Sequence, residues 1–128
     1  MTLLDHLRPP AASEPGALAY KEWLHCNVFD PVSGCVGLVS LALHGPPGDS
    51  RSRAVATALL HVPSSGWAGN LVVHSVDDCV LGLESLALPE AGLFVNPLTG
   101  AVDVSAHVPG LTLRFSARPA AHCRMFFG

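Results

Sequence analysis

The sequence predicts an all-β fold, an antiparallel meander of about seven or eight strands curled into a complete or partial barrel. Runs of about 6 to 10 residues rich in Val, Leu, Ala and Thr recur along the chain, and a cluster of Gly, Pro, Asp or Ser closes each run. These clusters are too short for parallel crossover connections, which need about a dozen residues. Consecutive hairpins with one apolar face close most simply into a barrel, and a two-sheet sandwich is the alternative.

The length of 128 residues allows one domain, and 49% hydrophobic against 13% charged residues exclude a disordered chain. Residues 1–16 hold three prolines and no sustained period, which predicts an N-terminal tail. Residues 17–128 are expected to form a single β-domain.

Eight strands are predicted along this domain. They cover residues 20–29, 35–44, 53–62, 70–76, 79–88, 92–95, 101–108 and 111–118. The first two are rich in aromatic and aliphatic residues, and the segments 30–34 and 45–50 close them. The third contains Ala and Leu, which favour helix, but its Val and Thr content and flanking turns favour strand.

Turn-forming residues separate the later strands. Residues 63–69 read as a turn before the fourth strand, and Asp77-Asp78 closes that strand. The last two strands have the clearest alternation, because apolar residues occupy every second position on both sides of Pro109-Gly110. This hairpin is expected to lie at the outside of a sheet or barrel with one face buried.

The charge balance argues against nucleic acid as a partner. Lys+Arg 7 against Asp+Glu 10 gives a net charge of -3, without the basic surface that nucleic-acid binding requires. No apolar run reaches the roughly 18 residues of a membrane span, and Asp5, His6 and Arg8 interrupt the start where a signal peptide is apolar. We therefore expect a cytoplasmic protein without a membrane span. One lysine against six arginines, with no Ile or Gln, indicates a GC-rich bacterial genome.

Symmetric pairing of the strands across their turns predicts a register. It places His25 opposite Leu38, Leu38 opposite Leu59, Val36 opposite His61, and Thr57 opposite His74. One face then mixes aromatic, histidine and amide side chains: Trp23, His25, Asn27, Phe29, Val36, Leu38, Ser40, Thr57, Leu59, His61, Asn70, Val72 and His74. The opposite face is almost purely apolar. A mixed face suits a ligand cavity, since apolar walls supply affinity and a few polar groups orient the guest. A merely half-exposed sheet face is the alternative.

The candidate site lies on this mixed face. His25 is the candidate catalytic residue, because a histidine beside an apolar wall works as a general acid or base near neutral pH. The candidate ligand-binding residues are Trp23, Asn27, Leu38, Leu59, His61 and His74. Trp23 is expected to form a wall of the cavity, although a tryptophan in a strand is most often simply part of the core.

Neither a metal nor another cofactor is expected. His61 and His74 are four residues apart along the strand direction in the predicted register, over ~13 Å, which is too far for one tetrahedral site. GxSxG, GxGxxG and GxxxxGK[ST] motifs are absent from the sequence. The four cysteines read as buried thiols; Cys26 and Cys35 flank a turn, but a cytosolic chain rarely keeps such a disulfide.

The first two strands resemble a known family. Glu22-Trp23-Leu24-His25, followed by Asn27-Val28-Phe29 and the strand 37–41, is similar to the opening of the lipocalin-like family that contains bacterial carotenoid 1,2-hydratases and related terpenoid-modifying and cyclising proteins. The family opening reads Glu-Trp-Trp-Tyr, so Glu22 and Trp23 match and the next two positions differ. The resemblance extends through Gly66-Trp67 and the last hairpin to about residue 124.

The resemblance implies a lipocalin-like barrel that binds a long apolar substrate and hydrates or cyclises it. Members typically have two β-domains, so residues 17–128 would be the first half of such an architecture. The first functional hypothesis is therefore binding, and conversion, of an apolar terpenoid-like or polyketide-like small molecule. The alternative is a non-catalytic β module that forms a homodimer, or pairs with a second β-domain or partner chain, through open sheet edges.

Overall fold

The computed structural model describes residues 9–81, 85–96 and 98–118. Within them the chain is all-β and antiparallel, as predicted. The strands are β1 (Lys21–Phe29), β2 (Val36–His44), β3 (Arg53–Val62), β4 (Gly66–Ser75), β5 (Val80–Leu81), β6 (Ser85–Leu88), β7 (Ala91–Val95), β8 (Val102–Val108) and β9 (Leu111–Ala117). Short 3₁₀ turns at Ala17–Ala19 and Val76–Asp78 precede β1 and follow β4. Nothing helical in these ranges has the length and apolarity to cross a bilayer.

The strands form two sheets, each ordered as the chain runs. The first sheet has the order β1-β2-β3-β4 and the second β5-β6-β7-β8-β9, so every ladder joins consecutive strands. Among the described residues no ladder joins β4 to β5 or β9 to β1, and no closed barrel is found. The two sheets instead pack across one core, with β3 and β4 against β8 and β9.

The core lies between the inner faces of the two sheets. The first sheet supplies Val39, Leu41, Leu43, Ala54, Ala56 and Ala58, and the second supplies Leu86, Leu88, Ala91, Leu93, Val104, Ala106 and Val108. Three successive inner positions of β3 are therefore alanines, all fully buried. Small side chains there leave room for the larger residues of the facing sheet, the alternation that dense packing requires.

Two predictions about single elements are confirmed. The Ala- and Leu-containing segment 53–62 is a strand over its full length. In the last hairpin Val104 pairs with Phe115 and Ala106 with Leu113, and the apolar residues of β8 are buried while its polar residues are exposed. The predicted strand 79–88 corresponds to β5 and β6, and its residues 82–84 lie outside the described ranges.

The predicted register is right at one ladder and wrong at two. Val36 pairs with His61 and Leu38 with Leu59, as predicted. His25 pairs with Ser40 instead of Leu38. Because this shift is two positions, the His25 side chain stays on the predicted face of the sheet. Thr57 pairs with Leu71 instead of His74.

A shift of three positions reverses the faces of β4, because side chains alternate along a strand. Its cause is the start of the strand, since β4 begins at Gly66 and segment 63–69 is not all turn. A Cβ on Gly69 would lie 2.0 Å from the backbone oxygen of Ala58, so this glycine marks a close approach within the ladder. Asn70, Val72 and His74 consequently lie on the inner side of the sheet, not on the mixed face.

Leu86→Ala tests the placement of the core. Leu86 is 1% exposed, so its truncation leaves a cavity and should lower the free energy of unfolding by about 2–5 kcal/mol. Leu98→Ala is the matched control, because Leu98 is 93% exposed and should change stability by less than about 0.5 kcal/mol. Denaturant unfolding followed by circular dichroism measures both, and equal losses would contradict the two-sheet core.

Candidate functional site

The outer face of the first sheet, which we name the uncharged face, combines exposed aromatic residues with an absence of charged ones. It consists of sixteen residues in four cross-strand rows: Trp23, Ala42, Val55 and Val73; His25, Ser40, Thr57 and Leu71; Asn27, Leu38, Leu59 and Gly69; Phe29, Val36, His61 and Trp67. It carries no Asp, Glu, Lys or Arg. Lys21 and Arg53 lie in the next row, at one end of the face.

Six of the seven predicted site residues share this face. They are Trp23, His25, Asn27, Leu38, Leu59 and His61. They point away from the core rather than into a space between the sheets, since their inward neighbours Leu24 and Cys26 pack against the core cluster. Trp23 was expected to be a cavity wall, but its side chain lies on an open face and the residue is 57% exposed.

Large apolar side chains project from the corners of the uncharged face. Phe29 is 63% exposed and Trp67 is 65% exposed, while Leu71 and Val73 are also more than half exposed. The ring of His61 packs beside that of Trp67, with centroids 4.9 Å apart and planes inclined by 54°. Sequence reasoning missed Trp67, Leu71 and Val73, because it assigned Trp67 to a turn and the other two to the opposite face.

His74 has a different role from the one predicted. It lies on the inner side of β4, and its Nε2 shares a hydrogen bond with the Glu90 carboxylate in the turn between β6 and β7. Its Nδ1 is 3.7 Å from Oδ2 of Asp78. Both ring nitrogens therefore face carboxylates, and the imidazole ties the edge of the first sheet to the second. The backbone oxygen of Glu90 also accepts from the N–H of His107, which fixes the turn against β8.

The thiols within the described ranges are neither paired nor activated. The N–H of Asp30 donates to the carbonyl of Cys35 at 3.0 Å, so Cys35 lies opposite position 30, four residues from Cys26. That offset is ~13 Å along the strands, beyond the reach of a disulfide. Burial raises the pKa of the Cys26 thiol. It raises the pKa of the Cys79 thiol to about 11, whereas a nucleophilic cysteine needs a lowered pKa.

Metal-binding side chains do not converge where the chain is described. No three His, Cys, Asp or Glu residues of those ranges could hold one ion. The candidate catalytic residue His25 has Ser40 opposite it, and no carboxylate of the described ranges lies within 4.0 Å of its ring. Among the described residues, a general acid or base acting there would have no carboxylate to orient it.

A groove runs along the outer face of the second sheet, and we name it the second-sheet groove. Its two adjoining parts have volumes of about 710 and 420 Å³. Ala87, Gly92, Ser105 and Arg114 line both parts and form one cross-strand row from β6 to β9. None of the sequence-predicted site residues lines it. Its only local signal is a row of small residues, which becomes visible once four strands are aligned.

Compared with known proteins, the chain matches no protein-family model, no curated protein and no solved structure. These comparisons leave the resemblance to the carotenoid 1,2-hydratase family untested, and it stays a prediction. The description of the site therefore depends on the geometry of the two outer faces.

His74→Phe tests the tie between the sheets. The substitution keeps a ring of similar size but leaves the partly buried Glu90 carboxylate without its partner, so we expect stability to fall by about 1–3 kcal/mol. Glu90→Gln should cost less, because its amide oxygen still accepts from the imidazole. Equal stability of wild type and His74→Phe in urea unfolding would show that the contact contributes nothing.

Alkylation tests the buried thiol. A rise in the pKa of Cys79 from 9.0 to about 11 means about a hundredfold less thiolate at pH 8, because each unit is a factor of ten. Iodoacetamide should therefore label Cys79 about a hundredfold more slowly in the folded protein than in urea. Peptide mass mapping at timed intervals measures the ratio, and a ratio near one would contradict the burial of this thiol.

Proposed function

We propose that the chain is a non-catalytic β module that associates by packing its uncharged face against a second copy of the same chain. The observation that carries this proposal is the exposure of Trp23, Phe29 and Trp67 on one face without a charged residue. Exposed single apolar residues are normal in proteins, whereas a contiguous apolar patch marks an interaction site.

The size of the face supports an interface. Four strands about 4.8 Å apart and seven residues at about 3.3 Å each give a surface of roughly 19 by 23 Å before side-chain relief is counted. A monomer rarely exposes a contiguous apolar patch larger than a few hundred Å². A stable interface buries about 800 Å² per partner. The flat area of the uncharged face is roughly 440 Å², about half of that value, so we expect a weak and reversible dimer.

A second copy fits this face better than a charged partner does. Two sheets pack face to face about 10 Å apart with strands inclined by about 30°, so a sheet face is a suitable partner for itself. In a two-fold dimer each side chain contributes twice to the same interface. The sixteen positions carry no Asp, Glu, Lys or Arg, so burying them leaves no such charge unpaired in the interface.

The alternative predicted from the sequence was association through open edges. β1 and β4 are the edges of the first sheet in the described structure, and each borders the uncharged face. Edge pairing would extend the sheet and leave Trp23 and Trp67 in water. Face packing removes them from water, which is why the main contact is placed there.

Threonine substitutions of the two tryptophans test this association. Trp23→Thr/Trp67→Thr keeps β-favourable residues and removes most of the exposed aromatic surface, so the dimer dissociation constant should rise at least tenfold. The stability of the monomer should change little, because both side chains are more than half exposed. Sedimentation velocity over a concentration series measures the association.

The control is Leu98→Thr, which removes an apolar side chain that is more exposed than either tryptophan and lies outside the uncharged face. It should leave the dissociation constant unchanged. A wild-type chain that stays monomeric at high micromolar concentration would refute the proposal.

Uptake of an apolar small molecule is a second candidate function, and the second-sheet groove is the observation that favours it. A volume of about 710 Å³ lies within the range of about 300–1,000 Å³ that small-molecule sites occupy. The sequence also predicted closure into a lipocalin-like barrel and hydration or cyclisation at His25. His25 lies on the uncharged face and not in the groove, so these stay predictions separate from the groove.

Quenching of tryptophan fluorescence by all-trans-retinol tests the small-molecule function, with Gly92→Leu locating the site. Trp23 and Trp67 lie across the core from the groove, so the quenching is by energy transfer and not by contact. Gly92 is free of steric conflict, since a Cβ there would lie 3.7 Å from the Ser105 hydroxyl oxygen. A leucine at this position should fill the groove and weaken retinol binding at least tenfold. If retinol binds both proteins equally, it does not occupy the groove.

A further inference from the structure

We infer that the second-sheet groove binds a monocarboxylate with an apolar body, and that Arg114 holds the carboxylate. This inference rests on the small-molecule function proposed above and adds the class of molecule. Three observations support it: one guanidinium on the edge strand β9 lines both parts of the groove, small residues lie beside it, and the nearby acidic groups already have partners.

Arg114 differs from Arg51, in the loop between β2 and β3, and from Arg53, the first residue of β3. The guanidinium of Arg51 pairs with Asp49 at 2.9 Å, and Arg53 donates to the backbone oxygens of Ser50 and Ser52. Arg114 makes no ion pair or side-chain hydrogen bond with any residue that the structure describes. Its planar group presents parallel N–H donors that match the two oxygens of a carboxylate.

Room for the rest of the molecule lies beside this side chain. Ser105, Gly92 and Ala87 follow Arg114 across the sheet, and none of them extends beyond a hydroxymethyl group. Three strand spacings of about 4.8 Å give a floor of about 14 Å from Arg114 to Ala87. Phe94 borders this floor and is 43% exposed, so it offers a ring for an apolar body.

The acidic groups restrict the ligand to one anionic end. In the larger part of the groove Asp103 accepts a hydrogen bond from the Ser116 hydroxyl. In the smaller part Glu90 is bound to His74. Asp103 is the diagonal neighbour of Arg114 across β8 and β9, so a carboxylate held by Arg114 lies between a cation and one like charge. A second carboxylate in either part would meet Asp103 or Glu90 without a cation beside it. This favours a monocarboxylate over a diacid.

The experiment compares two ligands that share an apolar body. All-trans-retinoic acid and all-trans-retinol differ at the terminal group, and both quench tryptophan fluorescence when bound. Wild-type protein should bind the acid at least tenfold more tightly than the alcohol. Arg114→Gln should abolish this preference by weakening acid binding about tenfold, and leave alcohol binding unchanged. Arg118→Gln removes one positive charge outside the groove and should preserve the preference.

The outcomes separate this inference from the proposal on which it rests. Equal affinity for acid and alcohol, or an acid preference that survives Arg114→Gln, overturns the role of Arg114 while the groove can still be an apolar site. Binding of both ligands that is unchanged by Gly92→Leu overturns the groove itself. Thermal unfolding of each variant, followed by circular dichroism, shows whether the compared proteins are folded. The inference is supported only if a folded Arg114→Gln variant loses binding of the acid.

Discussion

The structure depends on the contact between the inner faces of its two sheets. The alanines at positions 54, 56 and 58 of β3 are fully buried, and they allow the larger residues of the second sheet to approach the first. Burial of this apolar surface is the main stabilising contribution available to a chain with few described ion pairs. Once the inner face of the first sheet is used in this way, every side chain on its other face must meet solvent or another molecule.

That constraint explains which parts of the fold the sequence predicted. The last hairpin has one apolar and one polar face, so alternation alone identified its buried side, and the structure confirms it. The first sheet carries large apolar residues on both faces, so alternation grouped Trp23 with His25 without showing which group is buried. The face that the second sheet covers is decided by tertiary packing between distant segments, which no local pattern reports.

The error at β4 has a local physical origin. Gly66 and Gly69 have positive φ angles of 82° and 129°, which glycine adopts freely, and such residues commonly signal turns. Here Gly66 opens the strand, and Gly69 allows a close approach to β3. The resulting shift exchanged His74 for Leu71 on the outer face. One misassigned turn therefore hid the tie between His74 and Glu90 and about a quarter of the uncharged face.

The two outer faces have different chemistry, and this difference separates the two proposals in space. The face on the first sheet carries aromatic and aliphatic groups without Asp, Glu, Lys or Arg, whereas that of the second carries Asp103, Ser105 and Arg114. The sheets lie on opposite sides of one core. A dimer formed through the uncharged face thus leaves both grooves open to solvent, and a ligand in a groove contacts no residue of the interface. The core between the two faces is their shared element. A substitution there is expected to affect both proposed functions through stability, while a substitution on either outer face affects one.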